Sequence, residues 1–341
     1  MAVDLKQLAA TLGLSQTTVS RALNGYSEVS AKTRERVERA AQELGYAPNP
    51  TARRLATGRA DAVGIVYPVE ADLMGNPRFL DMIAGVADRL ESAGFDVLLA
   101  VARERSEQRT YERLVRGRRV DGLIVAHTRV HDERIEYLRR SGVPFVAYGR
   151  TGGNNDFAWF DFDNEAESRL AVAELARRGH RRIAYVHAPL ALNFAQQRHH
   201  GFVQAMLEAR LTIAAEYIVV GGLERVGAYA AARSLLEAPV RPTAIIVDNG
   251  VAGVGVVRAL LQAGVRIGVD ISVVVIEGIP ADSLVADAEI ASIEQPTAHE
   301  SGATMGEMLL ALIEGGPLAQ PQVLRQARFV ATASVGPAPH A

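Results

Sequence analysis

Over the first 45 residues, apolar positions recur at helical spacing in three short bursts. Leu5, Leu8, Ala9 and Leu12 share one face of a predicted helix over residues 4–12, which Gly13 stops. Ser15 is placed to cap a second helix through residue 23. Val19, Ala22 and Leu23 are its apolar side, and Asn24-Gly25 is the turn that ends it. Ser30 caps a third helix, in which Val37, Ala40, Ala41 and Leu44 keep the same period up to Gly45. From Ala62 the pattern changes. Continuous Val/Ile-rich runs at 63–68, 96–101, 121–127, 144–149, 182–188, 217–222, 243–248 and 271–278 alternate with helical stretches, among them 79–93, 196–209, 227–237 and 251–263. Such runs joined by helices predict parallel sheets covered on both faces. The pattern restarts near residue 180, which predicts two similar α/β halves of five or six strands each.

Three short helices with a turn of about three residues between the first two fit a helix-turn-helix. Away from its apolar side the second helix offers Ser15, Gln16, Thr17, Ser20 and Arg21. Small side chains there allow close approach to base edges; Arg can grip guanine with two donors and Gln can pair with adenine. Charge changes the picture further. Residues 1–60 hold nine Lys/Arg against five Asp/Glu, while the whole chain is at −2, so a basic unit is attached to an acidic one. That suggests an anionic partner for the first unit only. A generic helical bundle with a solvated basic surface is the other reading of these residues; the exposed polar set on the second helix favours DNA. Between the two units, Asn49-Pro50 to Gly58 could form one or two helical turns. That is too short to persist alone, so the segment should be ordered by contact.

The chain of 341 residues is long enough for two or three domains and a large core. It has no cysteine, which excludes disulfides, thiolate metal sites and cysteine nucleophiles. No apolar stretch reaches membrane-spanning length, and polar residues interrupt the amino terminus where a secretory signal would be apolar, so the expected location is the cytoplasm. No nucleophile, base and orienter can be assembled from the spacing, and no catalytic residue is expected. Asp156, Asp161 and Asp163 lack the glycine and terminal glutamate of a calcium loop and are read as capping a helix and lining a crossover. Gly253-Val254-Gly255 is not a dinucleotide fingerprint, and the adjacent His199 and His200 point to different helix faces. No metal and no cofactor are expected.

Open α/β sheets bind ligands beyond the carboxyl ends of their strands, and two facing sheets make the cleft between them the default site. The predicted strand ends lead to Glu70, Asp72, Asn76, Arg78 and Phe79; to His127; to Tyr148, Gly149 and Arg150; to Asn193, Phe194 and Arg198; and to Leu223, Asn249 and Glu277. Planar Arg, Asn and Glu groups with aromatic faces suit a neutral polyhydroxylated ring.

The string from Val3 to Ala60 resembles the DNA-binding headpiece of the LacI/GalR family, through TTVSRALNG, VS-x-x-T-R-x-R-V and LGY-x-PN. The later strings AELARRGHRRIAYVHAP, Arg198–Phe202, VDISVVV and SIEQP resemble that family's effector-binding core, which is itself similar to periplasmic sugar-binding proteins. The resemblance covers essentially the entire chain. It implies an all-α helix-turn-helix headpiece (1–48), a hinge helix and linker (49–60), and an α/β core (61–341) of two similar parallel-sheet subdomains. These are approximately 61–160 plus a returning segment near 293–320, and 161–292 plus the tail.

It also implies that Gln16, Thr17 and Arg21 read bases, and that Ser15, Thr18, Ser20, Asn24 and Thr33 hold phosphates or the helix-turn frame. Ala52 would lie in a close pair of hinge helices, and Leu55 would wedge between base steps. In the core it places Arg78 and Phe79 against a ligand ring and makes Arg198 the effector-binding arginine. Two positions depart from the family pattern: Gly250 stands where an aspartate is usual, and Glu277 where the carboxylate is one methylene shorter. The strings around YGRTGG and NDFAWFDFDNEA look like the α-glucoside and oligosaccharide branch. The expectation is a ligand-responsive repressor of carbohydrate-utilisation genes, binding a palindromic operator with a mono- or disaccharide effector. The tail from Gln320 lacks a leucine heptad, so a homodimer is expected. A sugar-binding receptor without a DNA role would share the core but not the headpiece, and an α/β enzyme would need the catalytic constellation that is missing.

Overall fold

A computed structural model describes residues 3–23, 25–46, 58–68, 76–283, 285 and 288–339. Asn24, Ala52, Leu55, most of the expected hinge segment, Glu70 and Asp72 lie outside the described residues. Contacts divide the chain into two units, Met1–Ala60 and Asp61–Ala341.

In the first unit α1 spans Leu5–Leu12, α2 Gln16–Leu23 and α3 Ala31–Glu43. Each start has a local cause. Asp4 and Gln7 form a reciprocal capping box, and Gly13 ends α1 at φ +65°. The Ser15 Oγ accepts from the Thr18 amide at 3.0 Å, and the Ser30 Oγ from the Thr33 amide at 3.3 Å. Leu8, Ala9, Leu12, Val19, Ala22, Val29, Val37 and Ala41 form the core. Leu44, expected in that core, is 37% exposed: it caps α3 beyond the last helical residue, where the apolar stripe has ended.

The second unit holds two six-stranded sheets among the described residues. The first has the order β11-β5-β4-β3-β1-β2, with β1 Ala62–Pro68, β2 Asp96–Ala102, β3 Gly122–Val125, β4 Phe145–Tyr148, β5 Trp159–Phe162 and β11 Gln322–Arg325. The second has the order β12-β10-β9-β8-β6-β7, with β6 Ile183–His187, β7 Ile218–Val220, β8 Ala244–Val247, β9 Ser272–Ile276, β10 Ala291–Glu294 and β12 Arg328–Val330. All pairings are parallel except β10 with β12. The central strands β3, β6, β8 and β9 are buried along their whole length, as expected of strands with helices on both faces.

Helices α4 (Pro77–Glu91), α5 (Glu104–Arg116), α6 (Glu133–Ser141), α7 (Asn164–Arg177), α8 (Asn193–Glu208), α9 (Arg225–Glu237), α10 (Gly250–Gln262) and α11 (Ala298–Ile313) cover the sheets. The chain passes from the first sheet to the second after β5, returns after β10 to place α11 and β11, and passes again to β12. The return is locked by α4 and α11 in backbone contact. A Cβ on Gly85 would lie 2.0 Å from the His299 carbonyl oxygen, and one on Gly302 would lie 2.0 Å from that of Met82. Among the described residues no helix is long and apolar enough to cross a membrane.

Candidate functional site

The exposed side of α2 carries Gln16, Thr17 and Arg21, flanked by Ser15 at its start. Thr18 and Ser20 are half-buried. The Ser15 and Thr18 hydroxyls bond each other at 2.8 Å, and those of Ser30 and Thr33 at 2.9 Å. Three of the residues attributed to phosphate or frame contacts therefore sit within the caps that hold the helix-turn frame. Val19 and Ala22 anchor α2 in the core, so its polar face is held outward.

In the second unit the strand ends of both sheets converge on one cavity that is partly open to solvent. Of the ten residues expected there, Arg78, Phe79, His127, Phe194, Arg198, Leu223, Asn249 and Glu277 line it. Arg150 and Asn193 are not among its lining residues. The Arg150 guanidinium is spent behind the wall on Asp161 (2.7 Å) and on the Phe162 carbonyl (3.2 Å), and it lies over the Trp159 ring. Asn193 is buried at the first position of α8, where its amide donates to the Thr128 carbonyl at 2.9 Å. That contact from another segment accepts an otherwise orphan N–H, and α8 starts at Asn193 rather than near residue 196 as the periodicity suggested.

The charges of the cavity are paired internally. Arg198 is 2% exposed. Its Nε donates to Glu167 Oε2 at 3.0 Å and its Nη1 to the Asp248 carbonyl at 2.6 Å, while Nη1 and Nη2 both lie 3.3 Å from Glu277 Oε1. Burial alone would push this guanidinium down, but Glu167, Glu277 and Asp248 around it hold it above its ordinary value. Arg78 donates to Gln295 Oε1 at 3.0 Å and lies 3.8 Å from Glu277. Burial lowers His127 to about 4, so the imidazole in the wall is neutral at physiological pH. With Asp161 paired to Arg150, each charged side chain of the lining faces an opposite charge, and the cavity presents planar donors and acceptors.

Aromatic faces complete the lining. Phe79 is backed by Tyr67 with ring centroids 3.9 Å apart, and Phe194 lies under the Arg198 guanidinium at 5.0 Å. Tyr148 and Phe162 add two more rings. Two wall residues hold left-handed backbone, His127 at φ +50° and Glu277 at φ +74°, a conformation that side-chain-bearing residues adopt at a cost of about 1–3 kcal/mol. The departure at Gly250 has a steric cause: a Cβ there would lie 2.2 Å from the Gly278 carbonyl oxygen, so this turn admits no aspartate in its present form.

Asp161, Asn164 and Gln295 line the cavity although the strand-end rule did not select them. Glu167 stands directly behind it. Asp161 lies within β5, and Gln295 follows β10, both too short and polar-interrupted to read as strands. The SIEQP string was a signal for Gln295. Nothing in the spacing marked Glu167. His199 packs near Tyr185 and His187, while His200 pairs with Glu165 at 3.2 Å. Among the described residues no cluster could hold a metal ion.

A family model described as bacterial regulatory proteins, lacI family, matches residues 4–49. Another, described as periplasmic binding proteins and sugar binding domain of LacI family, matches residues 60–332. The HTH-type transcriptional regulator RafR of Escherichia coli is 40% identical over 314 residues, 92% of this chain and 93% of that protein. The solved complex of the transcriptional regulator CelR with cellobiose is similar at a TM-score of 0.72 and 30% identity, covering 97% of this chain and 99% of that one. The lac repressor dimer bound to operator and the anti-inducer ONPF is similar at a TM-score of 0.82 and 26% identity, covering 98% of this chain and 100% of that one.

Proposed function

Given that this chain belongs to the LacI family of bacterial regulatory proteins and is an HTH-type transcriptional regulator with a sugar-binding domain, we propose that it acts in the cytoplasm as a homodimeric repressor of carbohydrate-utilisation genes. Residues 1–48 are the reader, 49–60 the hinge and 61–341 the sensor. A two-fold dimer presents two copies of α2 and so prefers a near-palindromic operator. Gln16, Thr17 and Arg21 meet base edges. Ser15, Thr18, Ser20, Asn24 and Thr33 hold backbone phosphates or the frame. Ala52 and Leu55 belong to a hinge helix that enters the minor groove.

The effector is a neutral mono- or disaccharide. Arg198, Arg78, Asn249 and Glu277 pair with its hydroxyls, while Phe79, Phe194, His127 and Leu223 cover its ring faces. Arg150 and Asn193 act from behind the wall. Cellobiose in the CelR complex is the kind of ligand this cavity suits. The effector biases closure of the two subdomains and thereby the spacing of the paired hinges, by no more than its differential affinity for the two states. Binding without turnover of the sugar is all that this role requires.

One observation carries the reading: the cavity pairs its own charges and sets planar polar groups beside rings, in a chain whose other unit exposes a polar recognition face. The test is a thermal-shift screen against neutral mono- and disaccharides, followed by operator titration with each hit. A sugar that raises the melting temperature and changes operator affinity is expected. If sugars leave both unchanged while a charged metabolite moves both, the assignment of the cavity is overturned.

A further inference from the structure

Glu167 lies behind the cavity wall, fully buried on α7, yet it is linked to both arginines in front of it. Its Oε2 accepts from Arg198 Nε at 3.0 Å, and its Oε1 accepts from Gln295 Nε2 at 2.7 Å. Gln295 presents its own oxygen to Arg78 Nη2 at 3.0 Å. Arg78 then approaches Glu277, which returns to Arg198. The five side chains close a circuit. Arg78 comes from α4 on the first sheet; Glu167, Arg198 and Glu277 come from elements on the second, and Gln295 from the segment leaving it.

We propose that Glu167 is a positioning residue: from behind the cavity it sets the plane of the Arg198 fork and, through Gln295, the reach of Arg78, so that one buried carboxylate aligns the two arginines that meet the effector from opposite subdomains. This rests on the cavity being the effector site. Glu167 takes the inner edge of the guanidinium, Nε and Nη2, which leaves the remaining donors for Asp248 and Glu277 at the cavity. The groups facing it are Arg198 on α8, Glu277 after β9, Gln295 after β10 and, through Gln295, Arg78; Asp248 after β8 and Tyr185 on β6 act on Arg198. Three carboxylates share Arg198, and only Glu277 has the help of Arg78.

Ionisation is therefore part of the device. Burial raises Glu167 to about 7 against the pull of Arg198. When the carboxylate is ionised it accepts from both neighbours. When it is protonated on Oε1, the acid O–H requires an acceptor, so the Gln295 amide must turn its oxygen inward and release Arg78. Arg198 loses its anchoring charge in the same step. His127, at about 4, does not titrate in this window.

The test uses the full chain and needs no ligand. Carboxyl carbon resonances of labelled glutamate and the Arg198 Nε–Hε correlation are followed by NMR from about pH 5.5 to about 8.5. A glutamate resonance titrating near neutrality, lost in Glu167→Gln, is expected, with the Arg198 correlation moving at the same midpoint and standing still in the variant. An Arg198 signal that ignores the titration overturns the proposal, as does a Glu167 that stays ionised throughout; the wild-type titration decides this even if the variant fails to fold. Calorimetry with maltose, cellobiose and sucrose adds the functional reading. For a sugar that binds only the ionised form, Kd should weaken about eightfold from pH 7.5 to pH 6.0 in the wild type and stay flat in Glu167→Gln. Equal slopes in the two proteins overturn the proposal. If none of the sugars binds, the effector reading fails while the NMR result still judges Glu167.

Discussion

Replacing Arg198 by methionine tests whether this residue is a ligand contact alone or also the counter-ion of the core. The side chain is 2% exposed and touches Glu167 and Asp248, both completely buried, as well as Glu277 at the cavity. Methionine keeps most of the volume, so the packing loss is small; what remains is Glu167 and Asp248 with no guanidinium beside them, and Glu277 with Arg78 alone. Removing one partner of a buried ion pair costs about 3–5 kcal/mol, and that is the expectation at pH 8.

The cost should shrink as the solution is acidified. Burial already raises Glu167 and Asp248 with Arg198 present, and without it both rise further. A group whose folded value lies above its unfolded one stabilises the fold at low pH and loses that contribution as pH rises through the folded value. Each proton so bound is worth about 1.4 kcal/mol per pH unit; Glu167 already takes up its proton near 7 in the wild type, so about 1–2 kcal/mol of the cost should return between pH 8 and pH 6. Trp159 is the single tryptophan and is buried on β5, so its fluorescence during urea unfolding reports the large unit. A loss below about 1 kcal/mol at pH 8, or a loss that grows on acidification, would refute this reasoning.

Arg21→Ala should relax base preference at one operator position by ~1–3 kcal/mol, read from binding to a panel of mutated operators; a panel with unchanged ranking counts against a base contact. Leu55→Ala should lower both specific affinity and DNA bending while leaving the core folded, and an unaltered bend in a permuted-site gel argues against a wedge. Gly302→Ala should separate α4 from α11 at the cost of roughly 1–3 kcal/mol, since its Cβ would fall 2.0 Å from a backbone oxygen; an unshifted melting temperature would show that the helices give way freely.

Local chemistry is where the sequence spoke most directly. Gly13, Ser15 and Ser30 bound their helices because a left-handed residue or a hydroxyl acceptor acts within three or four positions. The Val/Ile runs inside the sheets became buried parallel strands because both faces of such strands must be apolar, whereas the runs that became the edge strands β2 and β7 leave Leu99, Val101 and Val220 exposed. The strand-end rule led to Arg78, Phe194, Arg198, Asn249 and Glu277, since parallel strands deliver their carboxyl ends to one side. The short strands β5, β10, β11 and β12 were invisible to it: three or four residues with a polar member carry no usable period. Arg150 and Asn193 sit at the right place in the chain, yet their neighbours turn them behind the wall.

What only the tertiary structure decided is which distant residues share a charge. Glu167 meets Gln295 across 128 positions and Arg78 meets Gln295 across 217, because the chain crosses between the sheets three times and the crossings bring these elements together. Hydrophobic period is a property of neighbouring residues and survives in the string of letters. Whether a buried arginine has one counter-ion or three depends on how the strands are ordered, which no local pattern encodes.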